Sequence, residues 1–150
     1  MKKKLFFLVF LVFLFLFVLG GTVINGATTL EVEIYFFDQE DSLVSVPCLI
    51  EIRDSYNAEI IRKTINILLK GAKEPLFSFI PKGTRLNHVV LIGKSVILDF
   101  SKELQNYGGG SFNVLHIREQ FEKTLYQFSF IENVIFFVNG EGEKSGVLQP

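Results

Sequence analysis

Tryptophan is absent from this chain, cysteine occurs once, histidine twice and proline four times. Each scarcity closes a route. One cysteine forbids an intramolecular disulfide, whatever the compartment. That residue, Cys48, lies in the strand-like run Val44-Ser45-Val46-Pro47-Cys48-Leu49-Ile50 and reads as an inert apolar thiol with no base beside it. Lipidation on a cysteine just after an apolar run is excluded as well, because no cysteine stands there. His88 and His116 have no metal-ligand spacing with each other or with Cys48, so no metal, cofactor or catalytic residue is expected. Basic excess is also missing. Beyond Lys2, Lys3 and Lys4 the chain carries 12 basic against 16 acidic side chains, a net charge of −4. That balance argues against nucleic acid and against electrostatic attraction to anionic lipid.

What is abundant is the N-terminal apolar run over residues 5–19, preceded by three lysines and followed by Gly20-Gly21. A short positive segment, an apolar stretch and small residues make an export signal, with the positive end left in the cytoplasm. Two outcomes stay open. Cleavage fits Val18-x-Gly20, and less well Ile24-x-Gly26. A helix continuing to Ile24 instead reaches the roughly 20 residues needed for a membrane anchor. Residues 1–24 are thus a signal peptide or anchor, 25–30 a linker, 31–142 one domain and 143–150 a tail. The exported part has ordinary single-domain size and buries a core without metal or crosslinks.

Alternation predicts a strand over residues 31–37 and a second over 43–53, with Pro47 marking an edge, a bulge or a break. Asp54, Ser55, Tyr56 and Asn57 offer N-caps for a helix whose stripe is Ala58, Ile61, Ile65, Leu68 and Leu69, closed by Gly71. Residues 72–85 form a loop. Strands over 86–92 and 95–100 flank Gly93-Lys94, which suits a type II′ turn. A helical turn follows at 101–106. Ser111 is expected to cap a helix with the stripe Val114, Ile117, Phe121, Leu125 and Phe128, and a last strand closes at Asn139-Gly140. The order ββαββαβ gives an α+β domain, a mixed sheet with both helices on one face.

Three tracts invite chemistry. Asp99, at the mouth of a strand with Ser101 two residues on, is the best single carboxylate. No second carboxylate pairs with it, and the expected role is to fix a turn. Gly108-Gly109-Gly110 before a helix invites an anion. It lacks a following Lys and the GxGxxG order, so a sharp entry into the helix is the stronger reading. Pro81-Lys82-Gly83-Thr84 is turn chemistry in a loop long enough to carry a binding surface. Phe77, Phe79, Tyr107 and Phe112 flank the long loops as aromatic candidates, Phe77 and Phe79 more as core.

Taken in order, Leu68-Leu69-Lys70-Gly71, Ile80-Pro81-Lys82-Gly83-Thr84-x-Leu86, Leu98-Asp99-Phe100-Ser101, Gly108-Gly109-Gly110-Ser111, Thr124-Leu125-Tyr126-Gln127-Phe128 and Asn139-Gly140 resemble the GerMN domain of sporulation and germination proteins. The resemblance covers residues 31–142. It implies a non-catalytic exported module acting by protein–protein interaction in assembly or maintenance of the bacterial envelope. Its partners would be an envelope protein or another copy of itself. The alternatives are a peptidoglycan-binding module, which requires exposed aromatics beside the loops, and a hydrolase, which requires Asp99 and a histidine to meet in a pocket. The expected location is extracytoplasmic, free or membrane-anchored.

Overall fold

The computed structural model describes residues 28–53, 56–142 and Leu148. The expected export segment, the rest of the tail, and the cap candidates Asp54 and Ser55 lie outside these. β1 (Thr28–Phe37) pairs antiparallel with β2 (Leu43–Ile52), from Thr28↔Ile52 to Phe37↔Leu43. The strand begins three residues ahead of the alternating pattern because β2 is long enough to pair with them. The loop between is tied by Asp38, whose Oδ1 accepts the N–H groups of Glu40 (2.9 Å) and Ser42 (3.0 Å).

α1 (Asn57–Leu68) has Tyr56 at its N-cap with no side-chain cap bond. It buries Ile60, Ile61, Thr64, Ile65 and Leu68. Gly71 follows at φ 85°, its N–H bonding to the Leu68 carbonyl, as its position predicted. β3 (Leu86–Ile92) and β4 (Ser95–Phe100) form a hairpin. Gly93 has φ 59° and Lys94 is not in the positive-φ region, which is the type II′ pattern. A 3₁₀ turn (Lys102–Gln105) leads to α2 (Ser111–Leu125). From there the chain crosses to β5 (Asn133–Val138), parallel to β4.

Two expectations are corrected. The single mixed sheet is two sheets: β1-β2, and a mixed sheet in the order β3-β4-β5-β6. The edge of β1 that a further strand would need is occupied by α2. The element order also gains a strand. β6 (Glu141–Gly142) folds back on β5 through Asn139 (φ 49°) and Gly140 (φ 80°). Both central residues at positive φ make a type I′ hairpin, for which Asn-Gly is the strongest short signal.

One apolar core joins the sheets. Val32, Ile34, Phe36 and Ile50 of the hairpin meet Leu98, Phe100 and Phe136 of the larger sheet through the two helical stripes. Phe121 of α2 touches both Phe100 (centroids 4.8 Å apart) and Phe136 (5.7 Å). Both helices lie on the buried side of the four-stranded sheet. Val90 and Ile92 on its other side are exposed.

Candidate functional site

α2 carries buried polar residues where the apolar stripe would continue. Gln120 and Thr124 have no exposed surface. With Gln127 they recur at helical spacing along β1, whose outward backbone groups they satisfy. The Gln127 side chain accepts from the Glu33 N–H (2.8 Å) and donates to the Glu33 carbonyl (2.8 Å). Thr124 Oγ1 accepts from the Tyr35 N–H (3.2 Å), and Gln120 Nε2 donates to the Tyr35 carbonyl (3.0 Å). At the next outward position, Phe37 exchanges both backbone hydrogen bonds with Phe77, each 2.9 Å. A helix and one loop residue therefore stand in for a neighbouring strand. The reason is energetic, since an unsatisfied buried backbone group costs about 1–3 kcal/mol.

Gln120 then extends the network outward. Its Oε1 accepts from Ser78 Oγ (3.0 Å), which accepts from the Ile80 N–H (3.2 Å). The loop carrying Phe77 and Phe79 is thereby pinned beside the first turns of α2. The result is an aromatic cluster. Phe79 meets Phe37 edge-on (5.0 Å, 88°), His116 at 4.6 Å and Phe112 at 5.6 Å. Phe112 and His116 lie 4.0 Å apart, and His116 Nδ1 is 2.7 Å from the Phe112 carbonyl. Phe37 is buried, whereas Phe112 is 55% exposed, Leu115 53% and Phe77 37%. An open groove of about 630 Å³ adjoins Phe77, lined by Leu69, Ala72, Leu76, Lys70 and Lys82.

Of the four aromatic candidates, the structure brings together Phe77, Phe79 and Phe112. Tyr107 instead packs against the core, half-buried. His116 was not named as a member, nor Leu115 as the exposed apolar residue beside it on α2. Their only signal is position, one turn after Phe112 on the helix face away from Ile117.

The tract residues lie elsewhere. Asp99 Oδ2 is 3.2 Å from Nδ1 of its cross-strand neighbour His88, and Asp99 Oδ1 accepts from the Gly140 N–H at 2.9 Å. The turn it fixes is thus the distant Asn139-Gly140 hairpin. The meeting with His88 is the one the hydrolase reading asked for, but it occurs on an open sheet face with the His88 side chain 77% exposed. Among the described residues no hydroxyl or thiol is hydrogen-bonded to the pair, whose further side-chain partner is Asn87 Nδ2 at 3.5 Å.

Ser101 Oγ accepts the Arg85 N–H (3.0 Å). It also holds the Glu103 carboxyl below its ordinary value by hydrogen bonding, helped by the Glu103 backbone N–H. Pro81-Lys82-Gly83-Thr84 is a turn closed by the Thr84 N–H on the Pro81 carbonyl (3.2 Å). Gly83 supplies φ 85° and the Thr84 hydroxyl donates to the same carbonyl at 2.7 Å. Gly108, Gly109 and Gly110 all have positive φ. The N-cap position of α2 belongs to Gly110, so Ser111 is the first helical residue and caps nothing. Asn113 secures the tract instead, donating to the Tyr107 (2.8 Å) and Gly109 (3.2 Å) carbonyls. Cys48 is half-buried, and desolvation followed by the nearby Glu33 charge pushes its thiol pKa up, away from the reactive thiolate. Among the described residues no group of three or more His, Cys, Asp or Glu is arranged for a metal ion, and no helix is long and apolar enough to cross a membrane.

Two small sheets and two helices on one core, with an exposed aromatic cluster, define a compact α+β module. The family model for sporulation and spore germination, Germane, matches residues 33–144, and the chain belongs to that family. Among solved structures it is similar to the first GerMN domain of the sporulation protein GerM from Bacillus subtilis. That match has 21% identity and TM-score 0.57, over 75% of this chain and 85% of that one. The tandem GerMN domains of the same protein match at 23% identity and TM-score 0.55 over 81% of this chain, which spans 42% of theirs. A Clostridium perfringens protein described as a "putative lipoprotein" matches at 17% identity and TM-score 0.52, over 81% of this chain and 80% of that one. No curated protein matches. The family is not known for catalysis.

Proposed function

We propose that this chain is a non-catalytic, exported GerMN module that binds another protein of the bacterial envelope through the Phe77–Phe79–Phe112–His116 cluster and Leu115. The cluster itself carries the reading. Large apolar side chains stand exposed at one spot while the helix bearing them hides polar ones at its other end. Contiguous apolar exposure of this kind marks an interaction surface, and aromatic side chains are favoured anchors in such surfaces. Export is supported by the apolar run behind Lys2-Lys3-Lys4 and by the description of the Clostridium relative as a "putative lipoprotein".

A glycan-binding reading has one observation in its favour, since exposed phenylalanines do flank the two loops. The ring geometry disfavours it. Neighbouring planes are inclined by 31° to 88°, so the rings present no coplanar platform for a sugar face, and phenylalanine adds no hydroxyl. Photo-crosslinking from Phe112 and Leu115 positions in living cells, read by mass spectrometry, tests the proposal. One enriched envelope protein, lost on Phe77→Ser, is the expected result. Recovery of muropeptides alone would transfer the site to wall glycan, and no adduct from either position would refute a binding role for the cluster.

A further inference from the structure

Charge is unevenly spread over the molecule, and the groove beside Phe77 lies where its sign reverses. Residues 70–85 hold four basic side chains, Lys70, Lys73, Lys82 and Arg85, against the single acid Glu74. Elsewhere beyond Lys2, Lys3 and Lys4 the chain has 8 basic against 15 acidic side chains. Arg85 is paired with Glu103, which lies beside Gly83. Lys70 and Lys82 line the groove, are exposed, and enter no ion pair among the described residues. Glu74 also lines the groove but is bridged to neither of them. Both lysines stand on fixed backbone. The Lys70 N–H bonds to the Ile67 carbonyl (3.1 Å) at the close of α1, and Lys82 sits in the turn closed by Thr84 on Pro81. Apolar lining comes from Leu69, Ala72, Leu76 and Phe77.

We propose that this groove takes an acidic segment of the partner protein, with an apolar side chain against Leu76 and Phe77 and Asp or Glu carboxylates beside Lys70 and Lys82. The proposal rests on the reading that the aromatic cluster binds a protein, and it names the chemistry of that partner. Phe77 belongs to both surfaces, so a partner seated on the cluster continues into the groove. Charge selects the occupant. A cleft of one sign with apolar walls focuses the field and draws in ligands of the opposite sign. The acidic remainder of the domain repels the same segment, which orients its approach to this one place. An anionic wall polymer would satisfy the two lysines but brings no apolar group to Leu76 and Phe77, so a peptide fits the groove better.

The test treats intact cells carrying the full-length chain with a water-soluble carbodiimide, which joins an amine to a carboxylate in direct contact, and reads the linked fragments by mass spectrometry. Lys70 or Lys82 should be recovered joined to an Asp or Glu of one enriched protein, several-fold above the exposed Lys123 on α2. Lys70→Glu with Lys82→Glu should lower the photo-adduct from Phe112 several-fold, whereas Lys70→Arg with Lys82→Arg should leave it unchanged, both with a native far-ultraviolet spectrum. An undiminished Phe112 adduct in the charge-reversed chain, with Lys70 and Lys82 linked to nothing or only within this chain, would overturn the proposal and leave the cluster reading standing. A phosphoramidate link from either lysine to a wall polymer would overturn it in favour of that polymer. Absence of any Phe112 adduct in the native chain would refute the cluster reading and this proposal with it.

Discussion

The two edges of the β1–β2 hairpin solve the same problem in opposite ways. The edge of β1 is covered, and its outward backbone groups at Glu33, Tyr35 and Phe37 are all bonded, to Gln127, Thr124, Gln120 and Phe77. By the period of two, the outward positions of β2 are Leu43, Ser45, Pro47, Leu49 and Glu51. Pro47 sits in the middle of that row, where its missing N–H faces outward. An imino acid blunts an open edge without disturbing the ladder behind it. One edge is sealed by side chains that form a site, and the other is made unattractive. The sealed edge does more than satisfy backbone. It carries Phe37 to Phe77 and Gln120 to Ser78, and so holds the aromatic cluster together.

The comparison can be broken most severely by loosening α2. Phe121→Ala empties the contact with Phe100 and Phe136, between the two sealing residues Gln120 and Thr124. Large-to-small changes of this kind cost about 3–5 kcal/mol, measured by denaturant unfolding. Gln120→Ala is next. It strands the part-buried Tyr35 carbonyl and frees Ser78, costing about 1–2 kcal/mol. It should also weaken crosslinking at Phe112, although Gln120 itself is buried. Pro47→Val should change stability by no more than about 0.5 kcal/mol, as surface changes do. It restores a free N–H in the open edge, and self-association seen by light scattering should rise.

The smallest effect concerns pH. The Glu103 carboxyl is held below its ordinary value of 4.5 by Ser101 and its own backbone N–H. Its contribution is full above the unfolded value and is lost as pH falls through the lower folded value. Glu103→Gln should therefore flatten stability against pH only on that acid limb.

The sequence makes the local elements readable because their signals are local. The stripe of α2, the Ile61, Ile65 and Leu68 part of the α1 stripe, the Gly71 stop and the Gly93-Lys94 turn follow from spacing and backbone freedom, whereas Ile60 and Thr64 lie outside the expected α1 stripe and Pro47 takes the edge position among its three options. The two-sheet arrangement was not readable, because it depends on who occupies the β1 edge 85 to 94 residues away. Thr124 and Gln127 stood among the family landmarks with no role attached, and Gln120 was passed over. The usable signal was polar residues at positions 120 and 124 inside an apolar stripe, which need buried partners. β6 was missed although Asn139-Gly140 announces a hairpin. At the site, Phe77, Phe79 and Phe112 were visible as flanking the loops, but their convergence around Phe79 and His116 depends on the Gln120–Ser78 link. Asp99 is expected to fix a turn, but which one depends on the strand register that brings His88 beside it and Gly140 above it.

Amide hydrogen exchange along the hairpin tests the central claim, that α2 serves as a surrogate strand on β1. The Glu33, Tyr35 and Phe37 amides should be protected to the same degree as Val32, Ile34 and Phe36, which face β2, while Ser45 and Leu49 on the open edge exchange rapidly. Thr124→Val should release Tyr35 selectively. Fast exchange at Glu33 and Tyr35 in the unaltered chain, matching Ser45 and Leu49, would contradict the account and leave the aromatic cluster without its support.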